Sequence, residues 1–141
     1  MNSFVLDTSV TASWFFEDEG GEYATSVLES LNEGEAVVPA LWPLEVANVL
    51  VVAERRERCS EAEAVRFIEL LEDLPITIDE DTAGRALHAT HQLAREYGLT
   101  AYDAAYLELA MRLGAPLATK DKQLAEAAQK AGVSLYRRNV M

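Results

Sequence analysis

Phe4-Val5-Leu6-Asp7-Thr8-Ser9 is the stretch that decides the fold. Three apolar residues in a row read as a strand buried on both faces. The run ends in an acid, two hydroxyl residues follow, and Val10 to Phe16 predicts a short apolar helix. Asp7 therefore sits where a strand stops and a helix begins. In open α/β sheets that edge is where ligands bind.

Outward from this stretch, strands and helices alternate. Asp18-Glu19-Gly20-Gly21 predicts a loop. Tyr23, Ala24, Val27, Leu28 and Leu31 then recur at helical spacing, and Asn32-Glu33-Gly34 ends that helix. Ala36-Val37-Val38 predicts a second strand, stopped by Pro39. Pro43 opens a helix to about Arg56 that is apolar on nearly every side from Leu44 to Ala53, and so buried. Ser60 and Glu63 predict a capping box for a helix carrying Val65, Phe67, Ile68, Leu70 and Leu71. Pro75-Ile76-Thr77-Ile78 predicts a strand. Asp79 and Asp81 then start one long helix, with Ala83, Ala86, Leu87, Thr90, Ala94 and Tyr97 on one side and Gly98 at its end. Thr100 begins the next helix, closed by Gly114. Ala115 to Thr119 predicts a strand, Asp121 opens the last helix, Gly132 ends it, and Val133-Ser134-Leu135-Tyr136 predicts a final strand. The expectation is a three-layer α/β/α domain, with a parallel sheet of about five strands covered by helices on both faces. Residues 1–141 read as one such domain, with no linker or repeat.

Composition narrows the function. There are 24 acids against 12 bases, a formal charge of −12. That counts against a module that coats nucleic acid. It leaves room for a nuclease whose cations reverse the local field, and for a basic partner. No run approaches the roughly 20 apolar residues of a membrane span. The start has no basic region of a secretory signal, and the single Cys59 forms no internal disulfide. A reducing, cytoplasmic compartment is the expectation.

Four acids are candidates for chemistry: Asp7, Glu45, Asp103 and Asp121. Three have structural alternatives. Asp7 and Asp121 stand where helix N-caps stand, and Asp103 completes a possible capping box with Thr100. Glu45 is harder to explain so. It lies on a helix that is otherwise apolar, with no base before Glu54, and a buried carboxylate needs a partner or a metal. Asn48, three residues on, is a candidate hydrogen-bond partner. Asp7 and Asp121 follow strand ends, while Glu45 and Asp103 lie in first turns of helices, which point to the same edge. Carboxylates without Cys or His select Mg²⁺ or Mn²⁺. Phosphodiester hydrolysis suits such a site.

Val5-Leu6-Asp7-Thr8-Ser9, Glu45-Val46-Ala47-Asn48-Val49-Leu50, Leu99-Thr100-Ala101-Tyr102-Asp103-Ala104-Ala105-Tyr106 and Leu117-Ala118-Thr119-Lys120-Asp121 together resemble the PIN-domain ribonucleases, most closely the VapC-type toxins of toxin–antitoxin pairs. The four pieces span nearly the whole chain in order. The resemblance implies an Mg²⁺- or Mn²⁺-dependent endoribonuclease with Asp7, Glu45, Asp103 and Asp121 as catalytic, metal-holding residues. Thr8, Ser9, Asn48 and Thr119 match the positions around them. It also implies an RNA substrate, an antitoxin partner and a homodimer.

Lys120, Lys122 and Arg55-Arg56-Arg58 are candidates for phosphate contacts; a solvated helix end is the plainer account of the arginines. His88 and His91 read as surface residues for want of a third ligand. Trp14-Phe15-Phe16 and Trp42 read as core or as a groove for a partner helix. Two alternatives remain beside the toxin: an RNA-processing PIN nuclease without antitoxin, and a non-catalytic α/β binding module with an acidic pocket. The latter, if receiver-like, needs a reactive Asp after its third strand.

Overall fold

The computed structural model describes residues 3–137. Its elements, in order, are β1 (Ser3–Leu6), α1 (Thr8–Phe15), α2 (Glu22–Ser30), β2 (Glu35–Val38), α3 (Trp42–Arg55), α4 (Glu61–Glu72), β3 (Ile76–Ile78), α5 (Thr82–Arg85), α6 (His91–Tyr97), α7 (Ala101–Leu113), β4 (Leu117–Ala118) and α8 (Lys122–Lys130). A 3₁₀ turn, Glu17–Glu19, follows α1 where a plain loop was expected.

Phe4, Val5 and Leu6 are fully buried because β1 is an interior strand of an all-parallel sheet ordered β3-β2-β1-β4. β3 and β4, consecutive in the chain, lie on opposite sides of β1, so the topological switch point, where open α/β sheets bind ligands, falls at the carboxyl ends of β1 and β4. Val5 pairs with Leu117 and Leu6 with Ala118, and the Asp7 amide donates to the Ala118 carbonyl at 3.0 Å. This register sets Asp7 beside Thr119.

Among the described residues the sheet has four strands, where about five were expected. Residues 133–136 contribute a single bridge, Leu117 to Leu135. The Leu117 amide donates to Ser134 and the Tyr136 amide to Leu117. The Ala115 amide, which precedes Leu117 on this side of the strand, donates to the Ala110 carbonyl at 3.0 Å and so adds nothing to the ladder at this edge. Tyr136 instead stacks on Phe4, centroids 4.0 Å apart.

The long helix expected from Asp79–Asp81 is broken. A wide π turn, Ala86–Thr90, separates α5 from α6, and His88 leaves helical geometry at φ −121°, ψ −105°. A wide turn shifts the phase of the helix, so the apolar stripe read through it does not hold. Leu87 is 85 % exposed rather than inward. His88 and His91 are exposed, as expected. Gly98 ends α6 at φ 65°, the left-handed conformation that favours glycine. The box at Ser60 and Glu63 is complete, each side chain bonded to the other's amide. Trp42 and Phe16 are buried and Trp14 donates to the Ala24 carbonyl, so these aromatics mostly serve the core. The Trp42 indole donates to the buried Thr11 hydroxyl at 3.1 Å, tying α3 to α1.

Candidate active site

Asp7 is 5 % exposed at the end of β1. It is the N-cap residue of α1 by position, but its side chain makes no cap bond. Its Oδ2 instead accepts from Ser9 Oγ at 2.6 Å and Thr119 Oγ1 at 2.8 Å. The loop after β4 aims those hydroxyls. The Lys120 amide donates to Ser9 Oγ at 2.9 Å, and the Asp121 amide to Thr119 Oγ1 at 3.0 Å. Each hydroxyl accepts one backbone N–H and donates to Asp7, and the two hydroxyls lie 3.3 Å from each other. Burial pushes the Asp7 carboxyl up; the Ser9 and Thr119 hydrogen bonds oppose that, and the Glu45 and Asp121 charges add to it.

Glu45 stands in the first turn of α3. Its Oε1 accepts from Tyr106 Oη at 2.5 Å and Thr8 Oγ1 at 3.0 Å. Those hydroxyls are themselves 2.8 Å apart. Two protons serve three contacts, so Thr8 shares its proton between the phenol and the carboxylate while Tyr106 commits its own to Glu45. Tyr106 is fully buried, and burial first, then the bond to Glu45, hold its phenol proton firmly in place. This corrects the role expected for Asn48: the partners of Glu45 are Thr8 and Tyr106. Asn48 is exposed and lines a groove with Phe16, Val49, Val52 and Arg56. Sequence reasoning missed Tyr106. The usable signal was its place three residues after Asp103, on a helix interior where a phenol needs a partner.

Asp103 lies half-buried in the first turn of α7, where its amide donates to Thr100 Oγ1 at 3.1 Å. Its carboxyl is pushed up to about 6, by burial first and then by the charges of Asp7, Asp121 and Glu45. Asp121 does cap its helix: Oδ1 accepts the Leu124 amide at 2.9 Å. The four acids thus come from four separated segments, and the charges of Glu45 and Asp121 add to the hold of Asp7 and Asp103 on their protons.

Among the described residues, no three carboxylate, imidazole or thiol groups already converge to grip an ion. The donors nonetheless suit a hard dication: four carboxylates, mutual repulsion that a cation would relieve, and hydroxyls that orient two of them.

Two of the five basic candidates are engaged elsewhere. Lys120 Nζ donates to Ser13 Oγ at 2.7 Å and to the Glu19 carbonyl. Arg58 pairs with Asp18 and Glu19 and lies over the Phe16 ring. Lys122, Arg55 and Arg56 remain exposed. Asp79, which follows the third strand, is held by Arg112 through bonds of 2.7 and 3.1 Å. Those bonds keep its carboxyl below the usual range. A receiver-like reactive Asp is therefore not what the structure presents there.

A parallel sheet in this order belongs to a known class: residues 4–130 match the PIN domain, and the chain belongs to the PIN-domain family. It is 34 % identical over 122 residues to Ribonuclease VapC3 of Pyrobaculum aerophilum, covering 86 % of this chain and 92 % of that protein. Its fold matches the crystal structure of PAE2754 from Pyrobaculum aerophilum, with TM-score 0.70, 23 % identity, and 89 % and 84 % of the two chains covered. It also matches VapBC2 from Rickettsia felis, bound to a DNA fragment from its promoter, with TM-score 0.65, 12 % identity, and 94 % and 96 % covered.

Proposed function

We propose that this protein is a metal-dependent endoribonuclease, the toxin of a toxin–antitoxin pair, built as a single PIN-like domain and working in the cytoplasm as a homodimer. One observation carries the catalytic part. Ser9 and Thr119 both bond to Asp7, and Thr8 and Tyr106 both bond to Glu45, so the four segments that carry the acids are tied together at one edge of the sheet. The likeness to Ribonuclease VapC3 over most of both chains supports RNA as the substrate. The likeness to VapBC2 supports a partner protein.

Asp7, Glu45, Asp103 and Asp121 would hold Mg²⁺ or Mn²⁺. When bound, the cation would supply an acidified water and charge stabilisation for the phosphodiester. Ser9 and Thr119 hold Asp7 in place, and Thr8 and Tyr106 hold Glu45. Water attacks phosphorus in line, the P–O3′ bond breaks and the 3′-oxygen takes a proton. The products carry a 5′-phosphate and a 3′-hydroxyl.

Purified protein incubated with RNA and Mg²⁺ tests this. Cleavage should stop in EDTA and should fall at least about 100-fold in Glu45→Gln. Products ending in 2′,3′-cyclic phosphate, or full activity in EDTA, would overturn it.

A further inference from the structure

Three of the acids share a feature that bears on which ion they take. Every described hydrogen bond to the Asp7 carboxylate falls on Oδ2, and every one to Glu45 falls on Oε1. The helix-cap bond to Asp121 falls on Oδ1. In each case one oxygen is tied to the protein, and no described hydrogen bond falls on its twin. At Asp7 and Glu45 the tie is a pair of hydroxyls, which fills the two acceptor directions of that oxygen.

We propose that these hydroxyl pairs set the metal preference of the site, by preventing Asp7 and Glu45 from gripping a cation with both oxygens. The proposal rests on the metal-dependent reading above. A carboxylate that offers one oxygen suits Mg²⁺, which wants six ligands in a near-ideal octahedron and keeps several waters. Ca²⁺ takes six to eight oxygens and readily uses both oxygens of a carboxylate. Ser9 with Thr119, and Thr8 with Tyr106, are therefore positioning residues. They act through the carboxylates and discriminate against the larger ion.

Calorimetric titration of the full chain decides it, with MgCl₂ and CaCl₂ run separately on wild type, Tyr106→Phe and Ser9→Ala. Each substitution removes one hydroxyl and frees an acceptor direction on the tied oxygen. The ratio of Ca²⁺ to Mg²⁺ affinity should rise in both variants, on the order of tenfold. A shift in the ratio is what a merely structural hydroxyl would not produce. Equal weakening for both ions would overturn the proposal and leave the metal reading intact. If Tyr106→Phe does not fold, Thr8→Val frees the same oxygen of Glu45 and is judged by the same ratio. Absence of any binding by wild type would overturn the metal reading itself, and this one with it.

Discussion

Asp103 shows how a single side chain reports on the whole site. Its carboxyl is raised to about 6 from a usual value near 3.8. Below both values it is protonated folded and unfolded, and costs nothing. As pH rises from 3.8 through 6 the unfolded chain gives up the proton first, so stability falls; above 6 the penalty is complete. Metal-free Asp103→Asn should therefore melt higher than wild type at pH 7.5, and the difference should fade towards pH 4. Mg²⁺ should raise the wild-type melting temperature, and that of the variant much less. Thermal melts with EDTA and with Mg²⁺ check this; a variant that melts lower at pH 7.5 would mark Asp103 as a helix-start residue only. The four acids were legible in the sequence because each stands beside a strand end or helix start. Tyr106 was not, since a tyrosine in an apolar helix also reads as packing. The tie of Glu45 to Thr8 was hidden by 37 positions of separation.

At the scale of elements, α4 offers a clean comparison. Ser60 accepts the Glu63 amide at 3.1 Å, and Glu63 accepts the Ser60 amide at 2.9 Å. Ser60→Ala should cost about 1 kcal/mol in urea unfolding, while RNA cleavage stays at the wild-type rate. A cleavage rate that falls with it would mean that α4 supports the site. This box was readable because both residues are local. The wide turn at residues 86–90 was not, because Ala83, Ala86, Leu87 and Thr90 keep helical spacing across it. The last strand failed for a third reason. Val133 to Tyr136 has strand character, but pairing depends on what the neighbour offers, and β4 is two residues long.

For the molecule as a whole, the charge of −12 is the property a partner meets first. Association with a basic segment should be fast at low salt and slow markedly as salt rises. We expect a pull-down from the native host to return a protein with a basic, partly apolar C-terminal segment, released as NaCl increases. Recovery of the homo-oligomer alone would count against it. A different whole-chain consequence follows from the hydroxyls around Asp7. Through Ser9 and Thr119, that one carboxylate latches the start of the described chain to the loop after β4, 112 positions away. The latch has its own reporters, the amide hydrogens of Lys120 and Asp121, whose acceptors are those hydroxyls. In deuterated water they should exchange slowly in wild type. In Asp7→Asn the amide oxygen can still receive both hydroxyl protons, so exchange at the two amides should stay slow. In Asp7→Ala the hydroxyls lose that anchor, and exchange there should quicken. Both variants lack the charge, but only the alanine unfastens the loop, so an inactive control made with alanine would report a loosened protein as well as a missing ligand.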